Sequence, residues 1–99
     1  MVLNVNPATV GASAATESAV SAELAAATAA AAAALTAVMP MGADLDSIEF
    51  AAALNAAGAT YIGTAGEHLA NRTMLSGAQD LAAATYTVTE AVNDAALGL

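Results

Sequence analysis

The single histidine is the residue of this chain with the most obvious capacity for chemistry. An imidazole side chain can serve as a general base, so His68 is the first candidate for catalysis. A catalytic site would also need a nucleophile and an acid that orients the base. The helical neighbours three and four positions away are Thr64, Ala65, Asn71 and Arg72, which do not supply that set. We therefore interpret His68 as a packing or interface residue and expect no enzyme.

The densest group of acids is Asp44, Asp46 and Glu49. A calcium loop would need more oxygen ligands and the glycine of the EF-hand pattern, and both are missing. One histidine without any cysteine cannot build a zinc site within one chain. Asp44 or Asp46 is instead suited to cap a helix, and Asp46-x-x-Glu49 is a variant of the capping box. We expect no metal and no cofactor.

Tyr86 and Glu90 form a third candidate. Four residues apart on a helix, they share one face and could present a ring and a carboxylate together to a receptor. The alternative is that both side chains are simply solvated or packed. The spacing alone favours that plainer interpretation.

Composition and charge limit the partners of the chain. The 99 residues carry a net charge of −8, with no lysine and one arginine. Nucleic acids and anionic membrane surfaces attract cationic proteins, so neither is an expected partner. The absence of cysteine excludes a disulfide framework.

A turn at Met39-Pro40-Met41-Gly42 divides the chain into two helices. Asn6 suits an N-cap and Pro7 the first helical position, so the first helix is predicted over about 7–38. Pro40 ends it, and Gly42 permits the backbone angles of a reversal within the turn 39–45.

The second helix is predicted over about 46–75, with Ser76-Gly77 as its end. Residues 1–77 then form a helical hairpin, and residues 78–99 form a separate tail that could regain helix from Asp80. In the first helix, Glu17, Ser21 and Thr28 have the spacing of a polar face.

An apolar stripe follows the second helix in steps of four or three residues. Its members, which we predict to form the partner interface, are Phe50, Leu54, Ala57, Tyr61, Ala65 and His68. Ile48, Ile62 and Leu69 lie off that line and indicate a second apolar face. A helix with two apolar faces needs two neighbours, and the first helix provides only one.

The core of an isolated hairpin would be thin. Alanine accounts for 32 of the 99 residues, and burial of a methyl group contributes only about 0.8 kcal/mol. Gly58, Gly63 and Gly66 each cost about 1 kcal/mol inside a helix, which close helix contact or local mobility would explain. The composition therefore favours half of a bundle whose other helices come from elsewhere.

A membrane helix is an alternative, because Leu24 to Ala43 contains no charged residue. Pro40 and Gly42 interrupt its end and no lysine or arginine flanks it, so the pattern argues against a span. The N-terminus lacks the basic residues that precede the apolar core of a secretory signal, and we expect no such signal.

Together these segments resemble the PE family of mycobacterial proteins, which are substrates of type VII (ESX) secretion systems. The resemblance covers essentially the whole chain. It is carried by the N-terminal segment around Pro7, the alanine-rich first helix, the turn Thr36-Ala-Val-Met-Pro-Met-Gly-Ala-Asp44, Ser47 with Ala51-Ala52, and Tyr86-Thr-Val-Thr-Glu90. The last segment looks like the Tyr-x-x-x-Asp/Glu export signal of such substrates.

The resemblance implies an all-α fold, with two long antiparallel helices forming half of a four-helix bundle with a PPE-family protein. It implies that an export chaperone grips the PPE subunit, and that the heterodimer is secreted or reaches the cell surface after cytoplasmic assembly. Pro7-Ala8 departs from the Pro-Glu pair that names the family. The first helix and turn are most similar to members linked to iron acquisition.

One rival interpretation remains open. A self-associating hairpin could form a homodimeric four-helix bundle and act as a structural or interaction module. It would need no PPE-like chain.

Overall fold

The structure is a computed structural model that describes residues 4–99. Two α-helices, α1 over Pro7–Thr36 and α2 over Leu45–Leu97, are the regular elements of that range, and residues 37–44 connect them. The described residues contain no strand. The predicted all-α fold with two long helices is confirmed, while the bundle with a partner chain stays a prediction.

The start of α1 follows from two residues. The side-chain oxygen of Asn6 accepts a hydrogen bond from the N–H of Thr9 at 3.1 Å, which satisfies one of the free donors at the helix end. Pro7 is the first helical residue, where its missing N–H costs nothing. The predicted roles of Asn6 and Pro7 are confirmed.

The end of α1 comes two residues earlier than predicted, at Thr36. An amide side chain of α2 binds the backbone just beyond it. The N–H of Val38 donates to Oδ1 of Asn55 at 2.8 Å, and Nδ2 of Asn55 donates to the carbonyl of Val38 at 3.1 Å. These two bonds take the place of helical partners, so the chain leaves the helix before Pro40.

The start of α2 is capped by Asp44. Its Oδ1 accepts the backbone N–H of Ser47 at 2.9 Å, and its Oδ2 accepts the Ser47 hydroxyl at 2.8 Å. These hydrogen bonds, the backbone one first, hold the pKa of the Asp44 carboxyl below its ordinary value. Asp46 lies inside the first turn, so the predicted capping box from Asp46 to Glu49 is wrong.

Gly42 has a role in the turn that differs from the predicted one. Its φ is not positive, so the reversal does not need the backbone freedom of glycine. A Cβ at this position would lie 2.6 Å from Oδ2 of Asp44. Glycine therefore leaves room for the capping carboxylate.

The end of α2 lies far beyond the prediction. The helix passes through Ser76 and Gly77 and ends at Leu97, so the predicted end near 75 and a separate tail from 78 are wrong. One internal glycine costs only about 1 kcal/mol. The contacts of Ser76 and Gln79 with α1 hold the helix on both sides of Gly77.

The chain divides into two compact units. We call residues 4–21 with Asn71–Leu99 the terminal unit, and Ala22–Ala70 the turn unit. Each unit pairs a segment of α1 with an antiparallel segment of α2. In the terminal unit Ser13 contacts Gln79 and Ser18 contacts Ser76; in the turn unit Val38 contacts Asn55.

Few side chains are fully buried. Among residues 4–99, the buried apolar side chains are Ala14 and Ala51. The hairpin therefore leaves most of its apolar surface exposed.

By length and composition, α1 is apolar enough to cross a membrane. Core helices of soluble proteins also meet these criteria.

Candidate functional site

A polar seam joins the two helices of the terminal unit. The hydroxyl of Ser76, which is only 6% exposed, donates to the carbonyl of Ala14 at 2.9 Å. Because that proton is committed, Ser18 is the donor in the 2.7 Å contact between the two serine oxygens. Farther along, Nε2 of Gln79 donates to the hydroxyl of Ser13 at 3.2 Å.

The same seam contains the arginine of the chain. Nη2 of Arg72 lies 3.0 Å from Oε2 of Glu17, and both side chains are about three-quarters buried. Glu17 therefore lies between the helices. The prediction that it belongs to a separate polar face is wrong, because its carboxylate needs the cation that α2 provides.

A close backbone contact joins the helices of the turn unit. A Cβ added at Gly58 would overlap the carbonyl oxygen of Leu35 and would lie 2.6 Å from its carbonyl carbon. The predicted close helix contact is confirmed at Gly58. At Gly63 and Gly66 an added Cβ would meet nothing within 4 Å, so contact within the chain does not explain these glycines.

The predicted interface stripe lies on the open side of α2. Phe50 is 59% exposed, Leu54 40% and Tyr61 57%. Ala57 and His68 are also exposed, and Ala65 is partly buried.

The residues of the second apolar face differ in their exposure to solvent. Ile62 and Leu69 are partly buried and Ile48 is exposed, so two of these three residues are less open than the large side chains of the stripe. The assignment of the stripe to a partner stays a prediction.

A groove of about 380 Å³ lies on this stripe, within the turn unit. It is lined by Leu24, Tyr61, Thr64, Ala65 and His68. Three stripe residues therefore border one concave surface together with a leucine of α1. His68 stands at an apolar surface, as expected of an interface residue.

Tyr86 and Glu90 lie within α2 and are both exposed. They border two depressions of the terminal unit. One, of about 470 Å³, is completed by Asn4 and Val5. The other, of about 550 Å³, runs along α2 and includes Leu81. Both side chains are therefore accessible from solvent, and each borders both depressions.

Catalytic or metal-binding groups are not assembled in the described part of the chain. Residues 4–99 contain no group of three or more histidine, cysteine, aspartate or glutamate side chains that could hold a metal ion. That the protein is not an enzyme and needs no cofactor stays a prediction.

Sequence reasoning missed the residues that align the helices. Asn55 and Ser18 were not considered, Ser76 was considered only as part of a predicted helix end, and Arg72 only as a helical neighbour of His68. A signal was present, since Arg72, Ser76 and Gln79 are spaced by four and three residues and continue the stripe of Ile62 and Leu69. Polar residues on the line that faces the other helix indicate that each has a polar partner there.

No curated protein and no solved structure matched this chain. The family model described as PE family matches residues 3–93, which include both helices almost entirely, the turn, and Tyr86 with Glu90. The chain therefore belongs to the PE family.

Proposed function

We propose that this PE protein is a non-enzymatic hairpin that forms an obligate one-to-one heterodimer with a PPE-family protein and is exported by a type VII system. The observation that carries the proposal is the exposed stripe of Phe50, Leu54 and Tyr61 on α2. Large apolar side chains collected on one face favour a helical partner over water. Two further helices would complete a four-helix bundle.

The thin core supports an obligate association. The buried apolar side chains of the described residues are two alanines, which contribute little free energy of folding. Phe50 and Tyr61 would each bury a large area against a partner and act as anchors of the interface. The chain alone is expected to be partly unfolded or aggregated.

The charge of the chain favours a partner with cationic or neutral edges. The net charge is −8, and the one arginine is already engaged by Glu17. Complementary charges at the rim of an interface guide partners together and disfavour wrong ones. A second copy of this chain would bring another eight negative charges, which argues against the homodimer.

Export is supported by the Tyr86–Glu90 pair. The pair lies on a continuous helix with both side chains exposed, which is the presentation that a receptor for a ring and a carboxylate requires. In the proposed sequence of events, the heterodimer assembles in the cytoplasm and a chaperone binds its PPE subunit. Secretion or display at the cell surface follows, with a duty in iron acquisition.

Co-expression with a PPE-family chain tests the assembly. Leu54→Asp would bury an unpaired charge and should abolish the complex. Leu97→Asp, at an exposed leucine near the end of α2, is the matched control and should be silent. Light scattering that finds a one-to-one complex supports the proposal.

Three outcomes of the assembly test would contradict the proposal. A stable, cooperatively melting monomer or a homodimer without PPE would each do so. Partition of the chain into detergent would instead favour a membrane role for α1.

Secretion from a mycobacterial host tests the export signal. Tyr86→Ala and Glu90→Ala should each remove the complex from the culture filtrate while it still forms in the cell. Insertion of one alanine after Thr87 would rotate Glu90 by about 100° and should have the same effect. Normal secretion of all three variants would refute the signal.

A further inference from the structure

The N-terminal segment lies beside the Tyr86–Glu90 pair in three dimensions. Asn4, Val5, Tyr86 and Glu90 line one cavity of about 470 Å³ in the terminal unit. The linear pattern Tyr-x-x-x-Glu gives no indication of this, because 80 residues lie between Val5 and Tyr86.

The local structure explains the arrangement. Proline favours an extended conformation in the residue before it, so the chain cannot continue as helix on the N-terminal side of Pro7. The two helices are antiparallel here, and the Cβ position of Gly11 lies 4.0 Å from the Cβ of Ala83. In this register the segment that precedes Pro7 reaches the level of Tyr86 and Glu90.

The cavity has the chemistry of a site for a cation. Its lining residues include an acid, Glu90, an aromatic residue, Tyr86, and a polar residue, Asn4. A cationic side chain can pair with a carboxylate and stack on a ring at the same time. The arginine of this chain cannot occupy the cavity, because Arg72 pairs with Glu17. The volume lies within the range of about 300–1,000 Å³ typical of binding pockets.

We propose that the export signal of this chain is a composite cavity walled by Asn4 and Val5 as well as by Tyr86 and Glu90, and that it binds a lysine or arginine side chain of the export receptor. The proposal rests on the proposed role of Tyr86 and Glu90 in export. It adds the N-terminal segment as the second wall and specifies the chemistry of the group that enters.

The central test uses a substitution in this chain that supplies a cation to the cavity. Val5→Lys introduces an ammonium group at the wall of the cavity that Glu90 also lines, where it would compete with the cation of the receptor. We expect its secreted fraction to fall at least about tenfold, as expected when one charge-assisted contact is lost. Val92→Lys makes the same change two residues after Glu90, on a different face of α2, and should be secreted normally.

Two further variants complete the test, each measured as the ratio of culture filtrate to cell pellet. Glu90→Gln keeps the shape of the cavity without its charge and should reduce secretion to the same extent as Val5→Lys. If Val5→Lys prevents assembly with the PPE chain, Asn4→Lys at an exposed position replaces it, with the same expected result.

The outcomes separate the two proposals. Loss of secretion in Glu90→Gln together with normal secretion of the assembled N-terminal lysine variant would overturn the composite cavity and leave the linear signal intact. Normal secretion of Glu90→Gln, Tyr86→Ala and Glu90→Ala would overturn the export signal and the cavity together. Loss of secretion in Val92→Lys as well would show a general effect of added charge and would overturn the cavity.

Discussion

In the terminal unit the helices meet through hydroxyl, amide and charged groups, whereas in the turn unit they meet through the backbone at Gly58 and the amide of Asn55. The polar seam contains a serine pair and an ion pair. At Gly58 there is no room even for a methyl group. Polar partners at set positions favour one register of two smooth helices, while close contact adds packing where large side chains are scarce.

The largest loss of folding free energy is expected from adding a methyl group at Gly58. Gly58→Ala places a Cβ against the carbonyl of Leu35, and relief requires the helices to separate. Because the clash is with backbone, the cost of overpacking should reach or exceed the upper end of about 1–3 kcal/mol, and the gain of about 1 kcal/mol in helix propensity offsets only part of it. Denaturant melts of the complex followed by circular dichroism would measure the loss.

Gly63→Ala is the matched control for this variant. An added Cβ at Gly63 meets nothing within 4 Å in the chain. The substitution should therefore stabilise α2 by up to about 1 kcal/mol through helix propensity alone. Equal effects of the two alanines would contradict the contact at Gly58.

A smaller loss of folding free energy is expected when the hydrogen bonds of the serine pair are removed. Ser76→Ala removes the donor to the carbonyl of Ala14 and the acceptor for Ser18, so it should cost about 1–2 kcal/mol. The double variant Ser18→Ala with Ser76→Ala should lose less than the sum of the single variants, because no hydroxyl is left without a partner. Strict additivity in this double-mutant cycle would show that the serines do not interact.

The ion pair should contribute less still. Arg72→Met removes the cation and leaves the mostly buried Glu17 carboxylate without its partner, at an expected cost of about 1 kcal/mol, because the quarter of each side chain that stays exposed reduces the penalty of a fully buried pair. Added salt should reduce the difference between Arg72→Met and the natural chain. A difference that does not change with salt would indicate that packing of the arginine stem is the main contribution.

Sequence patterns predicted the helices better than they predicted how the helices meet. Asn6, Pro7 and the turn around Pro40 were recognisable because capping and helix breaking depend on local chemistry. The apolar stripe could be read from its spacing. The family was recognisable from the same segments.

The errors arose where distant residues determine the outcome. Gly77 suggests a helix end, but contacts of Ser76 and Gln79 with α1 carry α2 onward to Leu97. Glu17 suggests a solvated face until Arg72 is placed opposite it, 55 positions along the chain. Contacts across two antiparallel helices have no local signature, and neither does the cavity that Val5 and Glu90 both line.

The smallest loss of stability is expected at low pH, when Asp44, the cap of α2, becomes protonated. This loss should be specific to the turn unit. Two hydrogen bonds from Ser47 lower the pKa of Asp44 in the folded chain, so folding favours its ionised form. The resulting stabilisation is present above the ordinary aspartate pKa of about 3.9 and is lost as the pH falls through the lower folded value. Asp44→Asn should remove this part of the acid dependence, whereas Asp46→Asn, with the same change in charge, should retain it. Melting temperatures of the two variants measured between neutral and acidic pH would distinguish them, and parallel curves would contradict the role of Asp44 as the cap.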